Sequence, residues 1–165
     1  MKFGKRRCIE VKEVVINKKL LAPHDCYVIL TEKCNLRCLH CYGDFGENGD
    51  LNELSGEEWD KIICDLSKNN VFYLNISGGE PTMHPDFCKI MKSLVDNKMH
   101  FILTTNGVFS KECLDAILSS KEFLIGIKIS LDGCDYESHC YLRRTINNKI
   151  DEKEYICELY RYGSC

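Results

Sequence analysis

Strand-like and helix-like segments alternate along most of this chain, and that alternation limits the folds that the chain can adopt. Apolar residues at helical spacing predict helices that begin near Ser55, Pro85 and Ser110. Short apolar runs predict strands at 27–30, 71–76, 101–104 and 123–131. The repeat length of roughly 30 residues is that of a βαβ unit, and such units form parallel sheets. The sequence therefore predicts an α/β fold of about four β/α units.

Residues near the helix ends refine this prediction. Ser55 and Glu58 are spaced as a capping box, and Pro85 suits the first position of a helix. A last helix is predicted within 151–163, where a glycine supplies the C-terminal stop. Residues 9–16 are predicted to form an extra strand outside the repeat. We divide the chain into an N-terminal extension, 1–26, and a core, 27–165.

Composition excludes several classes of protein. Of the 165 residues, 44% are hydrophobic and 28% are charged, which predicts one folded domain. The net charge of -3 gives no reason to expect a nucleic-acid partner. The basic N-terminus is followed by acidic residues rather than an apolar run, so we expect neither a secretory signal nor a membrane segment. These features predict a cytoplasmic protein.

Polar motifs follow each of the four predicted strands. Cys34 follows the first strand, 77–81 (Ser-Gly-Gly-Glu-Pro) the second and Asn106 the third, and Ser130 and Asp132 lie at the end of the fourth. The carboxyl ends of parallel strands meet at one edge of a sheet, where α/β proteins place their sites. We therefore expect these motifs to converge on one face.

Three cysteines form a compact C-x3-C-x2-C loop, a spacing that is typical of metal ligands. Most of the chain's 12 cysteines are spread through the sequence, and several lie in apolar segments where they resemble small core residues, but Cys34, Cys38 and Cys41 cluster in one loop. Three thiolates can hold a four-iron cluster and leave one iron open, as in a reactive site. The alternative is a structural zinc site with His40 as the fourth ligand. Joint ligation by His40 and the adjacent Cys41 is awkward, which favours the cluster.

The segment 31–42 (TEKCNLRCLHCY) resembles the signature loop of the radical S-adenosylmethionine (SAM) superfamily. By motif order the resemblance runs from about Tyr27 to Gly163. It is strongest to the SPASM-type branch, which contains peptide-modifying and cofactor-maturing enzymes. The resemblance implies a parallel partial (β/α) barrel, a [4Fe–4S] cluster on Cys34, Cys38 and Cys41, and SAM as the second cofactor.

The resemblance also implies roles for residues around SAM. Gly78, Gly79 and Glu80 would grip its methionine end, with the Glu80 carboxylate receiving the ammonium group. His40 stands where the family commonly has an aromatic residue near adenine. Considered alone, the glycine pair is also compatible with an ordinary turn.

Further polar residues extend the implied SAM site. Asn106, Ser130 and Asp132 would lie along the ribose and methionine of SAM, although each also suits an ordinary turn or strand end. Arg143 would bind the SAM carboxylate through its planar guanidinium. The neighbouring Cys140 and Arg144 depart from the family pattern, and a solvated basic pair at 143 and 144 is the alternative.

The implied activity is that of an oxidoreductase-type enzyme. Reductive cleavage of SAM would give a 5′-deoxyadenosyl radical that removes hydrogen from a peptide or small-molecule substrate. The electron donor would be a protein such as flavodoxin or ferredoxin. No residue is predicted to act on the substrate directly.

The chain stops where a fifth strand would begin, so we expect a core truncated after about four β/α units. Two alternatives to a complete enzyme follow from that expectation. One is a non-catalytic, truncated iron–sulfur-binding remnant. The other is a half-enzyme that self-associates or needs a completing partner chain.

Overall fold

The computed structural model describes residues 22–46 and 52–145. The strands are β1 (Asp25–Ile29), β2 (Leu36–Cys38), β3 (Tyr73–Ser77), β4 (His100–Thr105), β5 (Leu124–Ile129) and β6 (Arg143–Thr145). The helices are α1 (Gly56–Lys68), α2 (Phe87–Asp96), α3 (Lys111–Ser119) and α4 (Tyr136–Leu142), with a 3₁₀ turn at Pro81–Met83. None of the helices in these ranges is long and apolar enough to cross a membrane. The strand predicted at 9–16 and the helix predicted at 151–163 lie outside the described residues.

Four strands form one parallel sheet in the order β1-β3-β4-β5. Each neighbouring pair is parallel, and chain order equals spatial order because a helix separates each strand from the next. The predicted α/β class with a parallel sheet is confirmed. This order places the carboxyl ends of all four strands at one edge.

The core lies between the sheet and helices α1, α2 and α3. Alternate residues of the central strands, such as Leu74, Ile76, Phe101 and Leu103, are at most 1% exposed. They pack against apolar residues of the helices, and each such burial contributes about 1.5–3 kcal/mol to folding. The rigid sheet and helix layer thus fixes the positions of the loops at the carboxyl edge.

The observed starts of two helices can be compared with the starts predicted from the sequence. The capping box at Ser55 and Glu58 is confirmed, with both reciprocal hydrogen bonds present. The placement of Pro85 at a first helical position is wrong, because α2 begins at Phe87 with Asp86 as its N-cap. The Phe87 N–H donates to His84 O (3.0 Å), so a turn containing Pro85 closes before the helix starts.

The last strand of the sheet, β5, presents apolar and accessible side chains on one face. Ile125, Ile127 and Ile129 are 54%, 44% and 46% exposed. Within the described ranges β5 pairs with β4 alone. An apolar strand of this kind normally has both faces covered in parallel α/β folds.

A second, two-stranded sheet was not predicted. Strands β2 and β6 pair antiparallel, with Cys38 opposite Arg143. The pairing draws the segment after α4 against the cysteine loop. The Leu39 N–H also donates to Leu142 O (2.9 Å), which extends the contact by one residue.

Candidate functional site

The cysteine loop closes over the carboxyl edge of the sheet and forms one wall of a cavity of about 160 Å³. Cys34, Cys38, His40 and Cys41 line that wall. The loop is fixed at its start by Cys34 N–H, which donates to Gly46 O (2.8 Å), and by Asn35 Nδ2, which donates to Val108 O (2.8 Å). The three predicted ligands therefore face one space.

The ends of β3, β4 and β5 form the opposite wall. Gly78 and Gly79 follow β3, Asn106 follows β4 and Ser130 follows β5, and all four residues line the cavity. Arg143 closes one side. The predicted convergence of the strand-end motifs on one face is confirmed, with Glu80 and Asp132 set behind the wall.

The paired glycines let the loop after β3 touch the cysteine loop backbone to backbone. Gly78 has φ +139°, and a Cβ there would lie 2.4 Å from Thr31 O. A Cβ on Gly79 would lie 2.3 Å from Lys33 O. Hydrogen bonds fill that contact, since Gly79 N–H donates to Thr31 O (2.9 Å) and Glu80 N–H donates to Lys33 O (2.8 Å).

Glu80 holds the two strand-end loops together from inside. Its side chain is fully buried, and it accepts hydrogen bonds from Thr82 N–H (3.3 Å), Thr82 Oγ1 (2.7 Å), Thr105 Oγ1 (2.8 Å) and Asn106 N–H (2.7 Å). Burial raises the pKa of Glu80, and these donors oppose the rise. The structure does not bring this carboxylate to the cavity wall, and contact with the SAM ammonium stays a prediction.

Asn106 connects the third strand end to the cysteine loop. Its Nδ2 donates to Asn35 Oδ1 (2.7 Å) and lies 3.9 Å from Cys34 Sγ. Its Oδ1 accepts from Val108 N–H (2.8 Å). Asn106 is therefore held in one orientation, with its amide beside a predicted iron ligand.

Asp132 pairs with two other predicted site residues. Arg143 Nε donates to Asp132 Oδ2, and His40 Nε2 lies 3.1 Å from the same oxygen. Arg143 Nη1 also donates to Cys38 Sγ (3.8 Å). His139 is buried below, where it accepts from Asp132 N–H (3.3 Å), and burial followed by the charge of Arg143 lowers the pKa of His139. The network ties His40, Asp132 and Arg143 to the loop.

Burial affects two thiols of the loop, Cys34 and Cys38, by raising the pKa of each. Burial raises the pKa of Cys34, with Glu80 adding to the rise and the Leu36 N–H opposing it. Burial also raises the pKa of Cys38, against the charge of Arg143. Thiolate ligands must lose these protons, so metal binding here releases protons to solvent.

The donor set distinguishes between the two metal alternatives. Across residues 22–46 and 52–145, no three His, Cys, Asp or Glu side chains converge closely enough to hold one metal ion. A zinc ion held by these thiols would need all of its sulfur ligands about 2.3 Å away, and the described side chains are not arranged in that way. A cluster has several irons, and each thiolate ligates its own. Three thiols spread around one cavity fit that group.

Sequence reasoning missed several residues of this region. Tyr42 and Phe45 line the cavity with rings 5.6 Å apart, and Ser77 and Thr104 line it from the strands. No spacing rule indicates an aromatic four residues beyond Cys41. The alternation along β3 and β4, in which side chains two apart share a face, could have indicated Ser77 and Thr104.

Glu53 is a further missed residue that stabilises the start of the cysteine loop. It accepts hydrogen bonds from Thr31 Oγ1, Glu32 N–H (3.2 Å) and Lys33 Nζ (3.2 Å). Burial alone would raise the pKa of Glu53, but the Thr31 and Lys33 contacts hold it below its usual value. Its partners lie twenty or more residues away, so only the folded structure shows the cluster.

Fold and site together define an α/β protein whose three-cysteine loop closes the carboxyl edge of a parallel sheet. Residues 28–161 match the Radical SAM superfamily. The chain belongs to this family of enzymes, which uses a [4Fe–4S] cluster and SAM as cofactors. The family predicted from the loop is thereby confirmed.

Curated relatives match over most of the chain. Mycofactocin maturase MftC of Mycobacterium tuberculosis is 36% identical over 116 residues, which are 70% of this chain and 29% of the relative. Fe-coproporphyrin III synthase of Methanosarcina barkeri is 34% identical over 107 residues, or 63% of this chain and 26% of the relative. The chain thus spans less than a third of the length of these proteins.

Solved structures show the same fold. Streptococcus suis SuiB bound to its precursor peptide SuiA superposes with a TM-score of 0.71 at 22% identity, over 86% of this chain and 30% of SuiB. Native anSMEcpe with bound AdoMet superposes with a TM-score of 0.60 at 19% identity, over 83% of this chain and 40% of that protein.

Proposed function

We propose that Cys34, Cys38 and Cys41 hold a [4Fe–4S] cluster with one open iron, and that SAM occupies the adjoining cavity. One observation supports this above the others. All three thiols line the same cavity as the glycine backbone after β3 and the polar strand ends of β4 and β5. When bound, the cluster and SAM supply one-electron chemistry and a radical that abstracts hydrogen.

The chain's own residues bind and orient these groups. The backbone of Gly78 and Gly79 comes close enough to contact the methionine end of SAM, because no side chain stands in the way. Asn106 and Ser130 offer amide and hydroxyl groups for its polar atoms. Arg143 lies at the cavity and is suited to a carboxylate, which it would reach by leaving Asp132.

Four residues would control the surroundings of the cluster. Asn106 Nδ2 lies beside Cys34 Sγ, and Arg143 Nη1 donates to Cys38 Sγ, so these two thiolates would each have an N–H neighbour. Tyr42 and Phe45 form the mouth of the cavity and limit access of water. Exclusion of water protects a reactive intermediate from side reactions.

A peptide is the substrate class that we favour for the whole enzyme. The structure of SuiB, which shares the fold, has its precursor peptide SuiA bound, and a sequence relative is named mycofactocin maturase. Hydrogen abstraction from a peptide, with an electron carrier such as flavodoxin or ferredoxin as donor, is the reaction that we propose. A small-molecule substrate is the alternative. The assay below measures SAM cleavage without a substrate, so it applies to either class.

The test is anaerobic reconstitution of the chain with iron and sulfide, followed by addition of SAM and a strong reductant. We expect bound iron and sulfide, and 5′-deoxyadenosine as the product of SAM cleavage. Cys34→Ala, Cys38→Ala and Cys41→Ala each abolish cluster binding, whereas Cys64→Ala, a matched change on α1, does not. Stoichiometric zinc without iron after anaerobic purification contradicts the proposal.

The accessible side chains of β5 favour a second candidate function, in which the chain binds the cluster but is not a complete enzyme. Ile127 and Ile129 would be covered by a further segment or a partner chain in a complete barrel. The described part would then be a half-enzyme that binds the cluster but turns over slowly alone. Cluster binding with little 5′-deoxyadenosine supports the half-enzyme or a non-catalytic remnant, and full activity excludes both.

A further inference from the structure

Asn35, the residue after Cys34, belongs to a closed circuit of hydrogen bonds between the cysteine loop and the end of β4. Its Nδ2 donates to Val108 O (2.8 Å), and its Oδ1 accepts from Asn106 Nδ2 (2.7 Å). The Val108 N–H completes the circuit by donating to Asn106 Oδ1 (2.8 Å). Three short hydrogen bonds thus join two side-chain amides and the backbone of one residue.

The backbone of Val108 sets the direction of this circuit. A backbone carbonyl oxygen only accepts hydrogen bonds, and a backbone N–H only donates them. Asn35 must therefore present its Nδ2 to Val108 O, which leaves its Oδ1 to face Asn106. Asn106 must then present Nδ2 to Asn35 and Oδ1 to the Val108 N–H. A flip of either amide would oppose two donors at one contact and two acceptors at another, which is costly.

This direction decides which atom of Asn106 lies beside Cys34. The Asn106 Nδ2 carries two hydrogens, so it can bond Asn35 and also donate to Cys34 Sγ, which is 3.9 Å away. Asn106 is only 7% exposed, and its backbone N–H donates to Glu80 Oε2 (2.7 Å), which restricts its movement. In a flipped amide, the electronegative Oδ1 would lie beside the sulfur instead.

An N–H beside a ligating sulfur affects the redox chemistry of an iron–sulfur cluster. Hydrogen bonds to the sulfurs are among the factors that set the reduction potential. Reduction adds one negative charge to the cluster, and an N–H directed at a sulfur stabilises that charge, so the potential rises. Residues that orient such groups act on the metal without touching it.

We propose that Asn35 is a positioning residue that holds the Asn106 amide with an N–H toward the Cys34 thiolate and thereby raises the reduction potential of the cluster. The inference rests on the proposed cluster at Cys34, Cys38 and Cys41. Among the described residues that line the cavity, Asn106 is present and Asn35 is not, so Asn35 acts through Asn106.

The test is an anaerobic redox titration of the reconstituted chain without SAM, followed by electron paramagnetic resonance. Asn35→Ala should retain the cluster but show a more negative midpoint potential than the parent. Asn97→Ala is the matched control, because Asn97 Nδ2 donates to Ser93 O (3.0 Å) at the end of α2 and Asn97 does not line the cavity. The control should keep the parent's potential, and an equal shift in both variants would overturn the proposal.

A double variant tests whether Asn35 acts through Asn106. Asn106→Ala should lower the midpoint potential at least as much as Asn35→Ala does. Adding Asn35→Ala to Asn106→Ala should then cause no further shift, because the group that Asn35 orients is already gone. If Asn35→Ala shifts the potential equally with and without the Asn106 side chain, the proposal is wrong.

A further measurement needs no cluster. In the metal-free chain, hydrogen exchange of the Asn106 side-chain amide, followed by nuclear magnetic resonance, should be several-fold faster in Asn35→Ala than in the parent. This comparison also decides the matter if Asn35→Ala retains less iron, and equal exchange rates contradict the circuit. A parent chain that binds no cluster overturns the proposed function and the role in the potential together. A bound cluster with the same potential in the parent and in Asn35→Ala overturns this inference alone.

Discussion

At the scale of single residues, Glu80 illustrates how a buried carboxylate can organise a site without lining it. Four donors from two strand-end loops converge on its oxygens. Two of these donors are backbone N–H groups, which cannot turn to another partner. Removal of the carboxylate would leave them buried and unsatisfied.

Glu80→Gln should therefore lower the free energy of unfolding of the metal-free chain by roughly 2 kcal/mol. The amide keeps the volume but places an NH2 group against donors. Urea titration measures the loss, and Glu57→Gln, the same change at an exposed helix position, should alter stability by only a few tenths of a kcal/mol. If the Glu80→Gln chain is as stable as the parent, the carboxylate does not stabilise the fold and its role is limited to ligand binding.

Glu53 gives a prediction that depends on pH. Its folded-state pKa lies below the usual 4.5, so its stabilising contribution is fully present above pH 4.5 and is lost as the pH falls through the folded-state value. Glu53→Gln should cost roughly 1 kcal/mol at neutral pH. The gap between variant and parent should narrow below pH 4.5. Equal gaps at both pH values would contradict this role, and Glu122→Gln at an exposed site serves as the control.

For single residues, the sequence predicted where a side chain lies in the fold better than it predicted the side chain's hydrogen-bond partners. The three cysteines and Asn106 line one cavity, and the sequence indicated their proximity because each directly follows a strand or lies in a short loop. The partners of Glu80 and Asp132 depend on loops brought together only by folding. Arg143 illustrates the limit, since its contact with Cys38 joins residues 105 positions apart.

At the scale of elements, the cysteine loop and the loop after β3 meet backbone to backbone. The backbone of Gly79 lies so near Lys33 O that any side chain would push the two loops apart. Strand order could be predicted, because one helix between successive strands leaves parallel neighbours as the simple solution. The pairing of β2 with β6 could not be predicted, because each strand has only three residues and no periodic pattern.

Gly79→Ala should displace the cysteine loop and lower the iron retained after reconstitution several-fold. Gly126→Ala is the matched control, because a Cβ there meets nothing within 4 Å. Iron content per chain, measured beside circular dichroism to verify folding, gives the comparison. Equal iron in the two variants would show that the contact between the loops is unimportant for the site.

At the scale of the whole molecule, the accessible side chains of β5 are the feature that most affects association. The isoleucines on its accessible face are already about half covered, so full burial of each would contribute roughly 1 kcal/mol, which favours association. The predicted segments on either side of the described residues, 9–16 and 151–163, are candidates to cover it and stay predictions.

The isolated chain should therefore self-associate, and Ile127→Lys together with Ile129→Lys should reduce that association. Leu118→Lys is the control, since Leu118 is 56% exposed on α3, away from β5. Sedimentation velocity at several concentrations measures the change. A compact monomer in the parent chain would contradict the prediction and would favour an edge that the chain covers by itself.

The central claim is that three thiols of one loop hold a cluster whose open iron receives SAM. Electron paramagnetic resonance of the reduced, reconstituted chain, recorded before and after SAM is added, tests it most directly. We predict the signal of a reduced [4Fe–4S] cluster that changes when SAM binds and that is absent from Cys34→Ala. A cluster signal that SAM leaves unchanged, or one that persists in Cys34→Ala, would contradict the account.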